Sequence, residues 1–126
     1  MDVARRDIIR SAAAAALLGQ FTAEAMQHVH DHAAEAKKQA AGVYKPKVLN
    51  AGEWKTVVLL ADLIVPPENG QPGGAGAGAP EFIDVLCSGS DQMTRIWQGG
   101  LAWLDAAARH KGADSFVDAT AAQRTE

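Results

Sequence analysis

Three histidines at alternate positions, His28, His30 and His32 in His-Val-His-Asp-His, form the densest set of potential metal ligands in this 126-residue chain, with Glu35 close by. On a helix His28 and His32 fall four apart on one face, a spacing at which two neutral imidazoles can clamp zinc, nickel or copper. Nothing in the surrounding sequence fixes a carboxylate or thiolate to orient them, so the segment reads first as a solvated polar face with incidental metal affinity. A second invitation to chemistry is Gly74-Ala75-Gly76-Ala77-Gly78-Ala79, which satisfies the permissive form of the dinucleotide-binding fingerprint. That fingerprint requires a preceding parallel strand, a helix aimed at the pyrophosphate and an acidic residue closing a second strand. The upstream pattern here is helical and no second strand follows, so the loop is assigned no cofactor. Asp62, Glu81, Asp84 and Asp105 are acids or bases in principle, but their positions converge on no recognisable pair, and His110 sits at a helix end. Asp84 and Asp105 read as surface or capping residues, and Cys87, on an apolar helical face, as a small buried hydrophobe. No catalytic and no cofactor-binding residue is assigned.

Composition narrows the classes further. Lys and Arg total 12 against 15 Asp and Glu, a formal charge of -3, so no sequence-wide positive field exists to hold a phosphate backbone and nucleic-acid binding is disfavoured. The single cysteine excludes an intrachain disulfide, a cysteine-built iron-sulfur cluster, an all-cysteine zinc site and the C-x-x-C-H attachment of c-type haem. The longest apolar runs, residues 12–18 and 57–61, fall far short of the roughly 20 residues that cross a bilayer.

The elements that must position these residues begin with an address. Arg5-Arg6, an apolar pair, Arg10 and then an alanine-rich stretch resemble the twin-arginine leader that sends folded proteins across the bacterial inner membrane. Ala23-Glu24-Ala25 offers a small-x-small cleavage site, which predicts a mature start at Met26. Residues 1–25 are therefore read as the signal, 26–47 as a solvated helical spacer, and 48–126 as an all-α domain, small and irregular, with a long Gly/Pro-rich loop. Asn50 and Glu53 form a capping-box start to a helix carrying Trp54, Val57, Val58, Ala61, Ile64 and Val65, with Leu59, Leu60 and Leu63 opposite, so this helix is expected to be central and buried on most faces. Pro66-Pro67 stops it. Residues 66–80 hold four prolines and five glycines and read as a loop without its own core. Pro80 opens a helix over 81–87, and Ser90 or Asp91 caps a longer one whose stripe runs Met93, Ile96, Trp97, Gly100, Leu101, Leu104 and Ala108, ending near Gly112. Gly100 in that stripe implies close approach of another helix. Trp103 lies off the stripe and is the best candidate for a partner contact. Thr120 with Gln123 begins a further capping box near the end of the sequence, so the domain is expected to be truncated at its C-terminus.

The blocks Leu60-Ala61-Asp62-Leu63-Ile64-Val65-Pro66, Pro72-Gly73-Gly74, Ala77-Gly78-Ala79-Pro80-Glu81-Phe82-Ile83-Asp84 and Gly100-Leu101-Ala102-Trp103-Leu104-Asp105 resemble, in that order, the gluconate 2-dehydrogenase subunit 3 family. The resemblance covers about residues 44–126 and implies a non-catalytic small subunit of a bacterial dehydrogenase that oxidises gluconate or another sugar. It implies that FAD belongs to the large partner subunit, that haem c belongs to a cytochrome c third subunit, and that this chain binds neither. It further implies that the subunit assists maturation of the flavoprotein and carries it through the twin-arginine machinery to the periplasm, where the complex associates with the inner membrane. Pro72, Gly73, Gly78, Pro80, Phe82 and Trp103 are the candidate contacts to that partner. The alternative is an independent periplasmic metal-binding helical protein using His28, His30 and His32.

Overall fold

The computed structural model describes residues 43–125 and, in the N-terminal region, residues 23, 24, 27, 28, 31, 32 and 34. Arg5, Arg6, Ala25 and His30 lie outside the described residues; Ala23, His28 and His32 are helical and exposed. Among the described residues there is no strand, only an isolated bridge between Glu68 and Gln71. The domain is built from α1 (Ala51–Ile64), α2 (Ala79–Ser88), α3 (Asp91–His110) and a short α4 (Ala121–Thr125).

Each helix starts and stops where local chemistry directs. The side chain of Asn50 accepts the Glu53 N–H at 2.9 Å while Glu53 accepts the Asn50 N–H at 2.9 Å, so two backbone donors of the first turn of α1 are satisfied reciprocally. Gly78, in the left-handed region at φ 97°, precedes α2, and Pro80 occupies its first turn, where the missing N–H costs nothing. Ser90 caps α3 by accepting the Met93 N–H. At the other end the Gly112 N–H donates to the Arg109 carbonyl at 3.0 Å and the Ala113 N–H to that of Ala108 at 3.1 Å, with Gly112 at φ 88°, which is a Schellman stop. Thr120 and Gln123 exchange hydrogen bonds to open α4.

The helices α1, α2 and α3 pack pairwise around two apolar clusters. Leu49, Val57 and Leu101 form one, joined by Trp54, Ile83 and Trp97; Ala108, Phe116 and Ala119 form the other, joined by Leu59, Leu104 and Ala113. Leu60 packs against both, so α1 ties the clusters together. It is not buried on most faces, however. Only Thr56, Val57 and Ala61 of α1 are buried, while Leu63, Ile64 and Val65 are 50%, 75% and 54% exposed. Two neighbouring helices and one loop cannot enclose a helix that is apolar nearly all round, and its C-terminal end is left uncovered.

The Gly/Pro loop is a series of tight turns laid on the end of α1. The Gly74 N–H donates to the Val65 carbonyl at 2.8 Å, the Ala75 N–H to Asp62 Oδ1 at 2.9 Å, and the Ala79 N–H to the Gly74 carbonyl at 3.1 Å. A Cβ on Gly74 would lie 2.4 Å from the Ala61 carbonyl oxygen, and one on Gly73 2.8 Å from that of Val65. The glycines that mimic a phosphate-binding fingerprint thus serve backbone-to-helix approach. Gly100 behaves oppositely to expectation: a Cβ there meets nothing within 4 Å among the described residues.

These two glycines make opposite predictions for thermal unfolding. Gly74→Ala should destabilise the domain by about 1–3 kcal/mol, because the clash is with fixed backbone. Gly100→Ala should stabilise it by about 1 kcal/mol through lower unfolded-chain entropy and better helix propensity, a rise of roughly 4–8 °C in a domain of this size. Calorimetric Tm values of the two variants check both signs.

Candidate interaction surface and the carboxylates behind it

Asp84 on α2 is 0% exposed. Its Oδ2 accepts the Tyr44 hydroxyl and the Lys47 N–H, both at 2.7 Å, and its Oδ1 accepts the N–H groups of Val48 at 3.0 Å and Leu49 at 3.1 Å. The sequence reading of Asp84 as a surface or capping residue is therefore corrected. The segment before α1 is non-helical and presents consecutive N–H groups to the interior; without ladder partners of their own, they require an acceptor there. Pro80, Asp84 and Cys87 share one buried face of α2, so a carboxylate placed within an apolar stripe was the available signal. Tyr44 also stacks on Trp54 at 5.3 Å between ring centroids.

This environment settles what the neighbouring groups can do. Burial by itself would push the Asp84 carboxyl up, but the N–H groups of Lys47 and Leu49, the Tyr44 hydroxyl and the Val48 N–H together hold it below the ordinary carboxylate range. Burial first, then the hydrogen bond to Asp84 and its charge, then the charge of Glu81, raise Tyr44 well above its ordinary value, so it remains a hydroxyl donor. Burial, followed by the charge of Asp84, pushes the Cys87 thiol up to about 11, and it stays an un-ionised buried hydrophobe. An ionised Asp84 whose two oxygens already receive four donors is committed to its own fold and is poorly suited to proton transfer.

Asp62 and Asp105 work similarly. Asp62 on α1 receives the Ala75 N–H of the Gly/Pro loop, and Asp105 on α3 receives the Phe116 N–H at 2.9 Å from the turn after that helix. Three of the four candidate acids therefore hold backbone segments to helices, and the fourth, Glu81, is buried beside Asp84 in the first turn of α2.

The outward face is apolar. Trp103 is 67% and Ile96 40% exposed on α3, and a groove of about 290 Å³ beside them is floored by Leu60, Trp97, Leu101 and Leu104. A second depression, of about 490 Å³, lies where the loop meets α2 and is lined by Val65, Ala77, Gly78, Phe82 and Ile83. Of the expected contact residues, Trp103 and Pro72 face solvent and Gly78 and Phe82 are half-buried. Gly73 and Pro80 are enclosed by the chain's own atoms, so they shape the loop and the start of α2 from within. His28 and His32 meet edge to face, Nε2 to Nε2 at 3.0 Å, on an exposed helical turn. Among the described residues no group of three or more His, Cys, Asp or Glu could hold a metal ion, and no helix is long and apolar enough to cross a membrane.

Comparison with protein families matches residues 51–126 to the family described as gluconate 2-dehydrogenase subunit 3. No curated protein and no solved structure matches.

The buried carboxylate predicts how stability depends on pH. The Asp84 pKa is lower in the folded chain than the ordinary 3.8, so its contribution is complete at neutral pH and is lost as pH falls through the folded value. The Tyr44 pKa is raised above 10.0, so its contribution persists up to pH 10 and is lost at higher pH. Urea unfolding from pH 3 to 11 should show a plateau between these limits. Asp84→Asn should lower that plateau by about 3 kcal/mol, since it mismatches buried donors, and should flatten the acid limb; Tyr44→Phe should flatten the alkaline limb.

Proposed function

The chain belongs to the gluconate 2-dehydrogenase subunit 3 family, and on that premise we propose that it is a non-catalytic small subunit of a bacterial FAD-dependent gluconate or sugar dehydrogenase. In this reading it assists maturation of the flavoprotein subunit and accompanies it, folded, through the twin-arginine exporter to the periplasm. FAD sits in the flavoprotein, a cytochrome c subunit receives the electrons, and the complex associates with the inner membrane. The family match carries the proposal. Two further observations support it. The acidic side chains Asp62, Asp84 and Asp105 are spent on holding the fold, whereas indole and aliphatic groups face outward, as an assembly subunit requires. Arg5-Arg6 and the alanine-rich stretch after them supply one export address, which a leaderless partner bound to this subunit would share.

An escort acts by binding, and its physical requirements differ from those of an enzyme. The exporter takes folded cargo, so the subunit must close its own structure before or during association. Capped helices and internally satisfied loops provide that closure.

Coexpression with the flavoprotein tests the proposal. Arg5→Lys with Arg6→Lys should leave the flavoprotein in the cytoplasm and abolish periplasmic sugar-dehydrogenase activity, measured with an artificial electron acceptor on fractionated cells. Undiminished periplasmic activity would overturn the carrier role.

A second reading rests on the His28–His32 contact, whose nitrogen spacing of 3.0 Å is close to that of two imidazoles on one divalent ion. As an independent metal-binding protein, the chain would bind zinc or copper in calorimetry and lose that heat when His28, His30 and His32 are changed to alanine. Equal heats from both proteins would eliminate it.

A further inference from the structure

Trp103 stands on a ridge between two depressions of different character. On one side is the groove of about 290 Å³ walled by Ile96 and Trp97, which has no ionisable residue in its lining. On the other is a cleft of about 150 Å³, lined by Phe116, Gln123, Lys111 and Arg124, which among the described residues contains two cations and no carboxylate. Trp103 and Leu104 belong to both.

The cleft's positive character is a local feature of a chain whose overall charge is -3. Arg124 lies against the core there: its guanidinium is over the Phe116 ring at 5.8 Å, and one Nη donates to the Val117 carbonyl at 3.4 Å. That bond is long, and Arg124 makes no ion pair among the described residues. Its Nε is buried without a hydrogen-bond partner. Lys111 is exposed at the mouth, and the Gln123 amide donates to the Lys111 carbonyl at 2.9 Å. A guanidinium over Phe116 and an exposed ammonium flank one edge of an exposed indole, and apolar side chains flank the other.

We propose that this ridge is the docking site for a segment of the flavoprotein subunit that carries a large apolar side chain for the Ile96–Trp97 groove and a carboxylate for Arg124 and Lys111. Charge complementarity selects the occupant. An apolar segment alone would fill the groove and leave both cations desolvated without a counter-charge, and an acidic segment alone would leave the indole uncovered. Tryptophan and arginine side by side are also the residue types in which binding energy concentrates at protein interfaces. The inference rests on the subunit reading above and deepens it by naming the face and the partner's chemistry.

The test measures affinity of the full chain for the flavoprotein subunit, with circular dichroism confirming that each variant is folded. Trp103→Ala should weaken binding by about thirtyfold, the usual scale for a central interface tryptophan. Lys111→Glu, on an exposed side chain, should weaken it by about tenfold and steepen the loss at low salt, while Arg124→Lys should retain most of the affinity. Leu63→Ser with Ile64→Ser, at the uncovered end of α1, should change it less than twofold. If the wild-type chain binds and both Trp103→Ala and Lys111→Glu bind equally well, the docking site is wrong and the subunit reading stands. If the wild-type chain does not bind the flavoprotein at all, both fail. If Trp103→Ala dissolves a homodimer seen by light scattering without changing flavoprotein affinity, a second copy occupies the ridge and the proposal is overturned.

Discussion

Backbone N–H groups without a helix or sheet to receive them set the terms for this fold. The segment 43–50, the Gly/Pro loop and the turn after α3 lie outside the helices, and each delivers N–H groups into the interior. Leaving such groups unpaired costs roughly 1–3 kcal/mol apiece, a large fraction of the stability of so small a domain. The solution is the same each time: a helix-borne aspartate turns inward and accepts them. Asp84 fastens the segment before α1 onto α2, Asp62 fastens the loop onto the end of α1, and Asp105 fastens the Phe116 turn onto α3. The apolar clusters depend on these attachments, because Leu49 and Phe116, buried members of the two clusters, are the residues whose N–H groups Asp84 and Asp105 receive.

The same economy decides which surface is left for others. Among the described residues three helices share the core, and α1 is apolar over more of its circumference than α2, α3 and the loop cover. The loop approaches α1 so closely that Gly73 and Gly74 tolerate no side chain, which buries the Ala61 turn but leaves Leu63, Ile64 and Val65 facing out. On α3 the stripe that reaches the core ends in Leu101, Leu104 and Ala108, and Trp103 projects from its flank. A chain with this distribution gains by association, since apolar area removed from water contributes about 25 cal/mol per Å² before the costs of binding are subtracted.

The helical architecture was legible in the sequence because it is written in local signals. Asn50 with Glu53, Pro80, Ser90, Gly112 and Thr120 with Gln123 each act within a turn of where they stand, and each helix boundary falls within two residues of its signal. The Asp84 site was not legible in the same way. Its donors are contributed by residues 35 to 40 positions away, so the one local signal, a carboxylate within the apolar stripe of α2, marks Asp84 as facing inward without naming what it meets. The exposure of the α1 end was missed for a related reason: periodicity reports which faces are apolar, and the number of neighbours available to cover them is a property of the whole chain. Gly100 shows the limit of composition arguments, since a glycine in an apolar stripe implies a close neighbour only if a neighbour exists.

The glycine-rich run illustrates why site assignment has to follow geometry. Its pattern is one that elsewhere brings backbone close to a pyrophosphate, and the physical property in use, absence of a Cβ at a point of close approach, is the same here. What differs is the object approached: the Ala61 and Val65 carbonyls and the Asp62 carboxylate, all partial or full negative charges. The N–H groups of Gly74 and Ala75 are already donated to those oxygens, so these two donors serve the attachment of the loop to the helix end. Close packing against α1 and ligand cradling are competing uses of the same donors, and in this chain the fold has taken them.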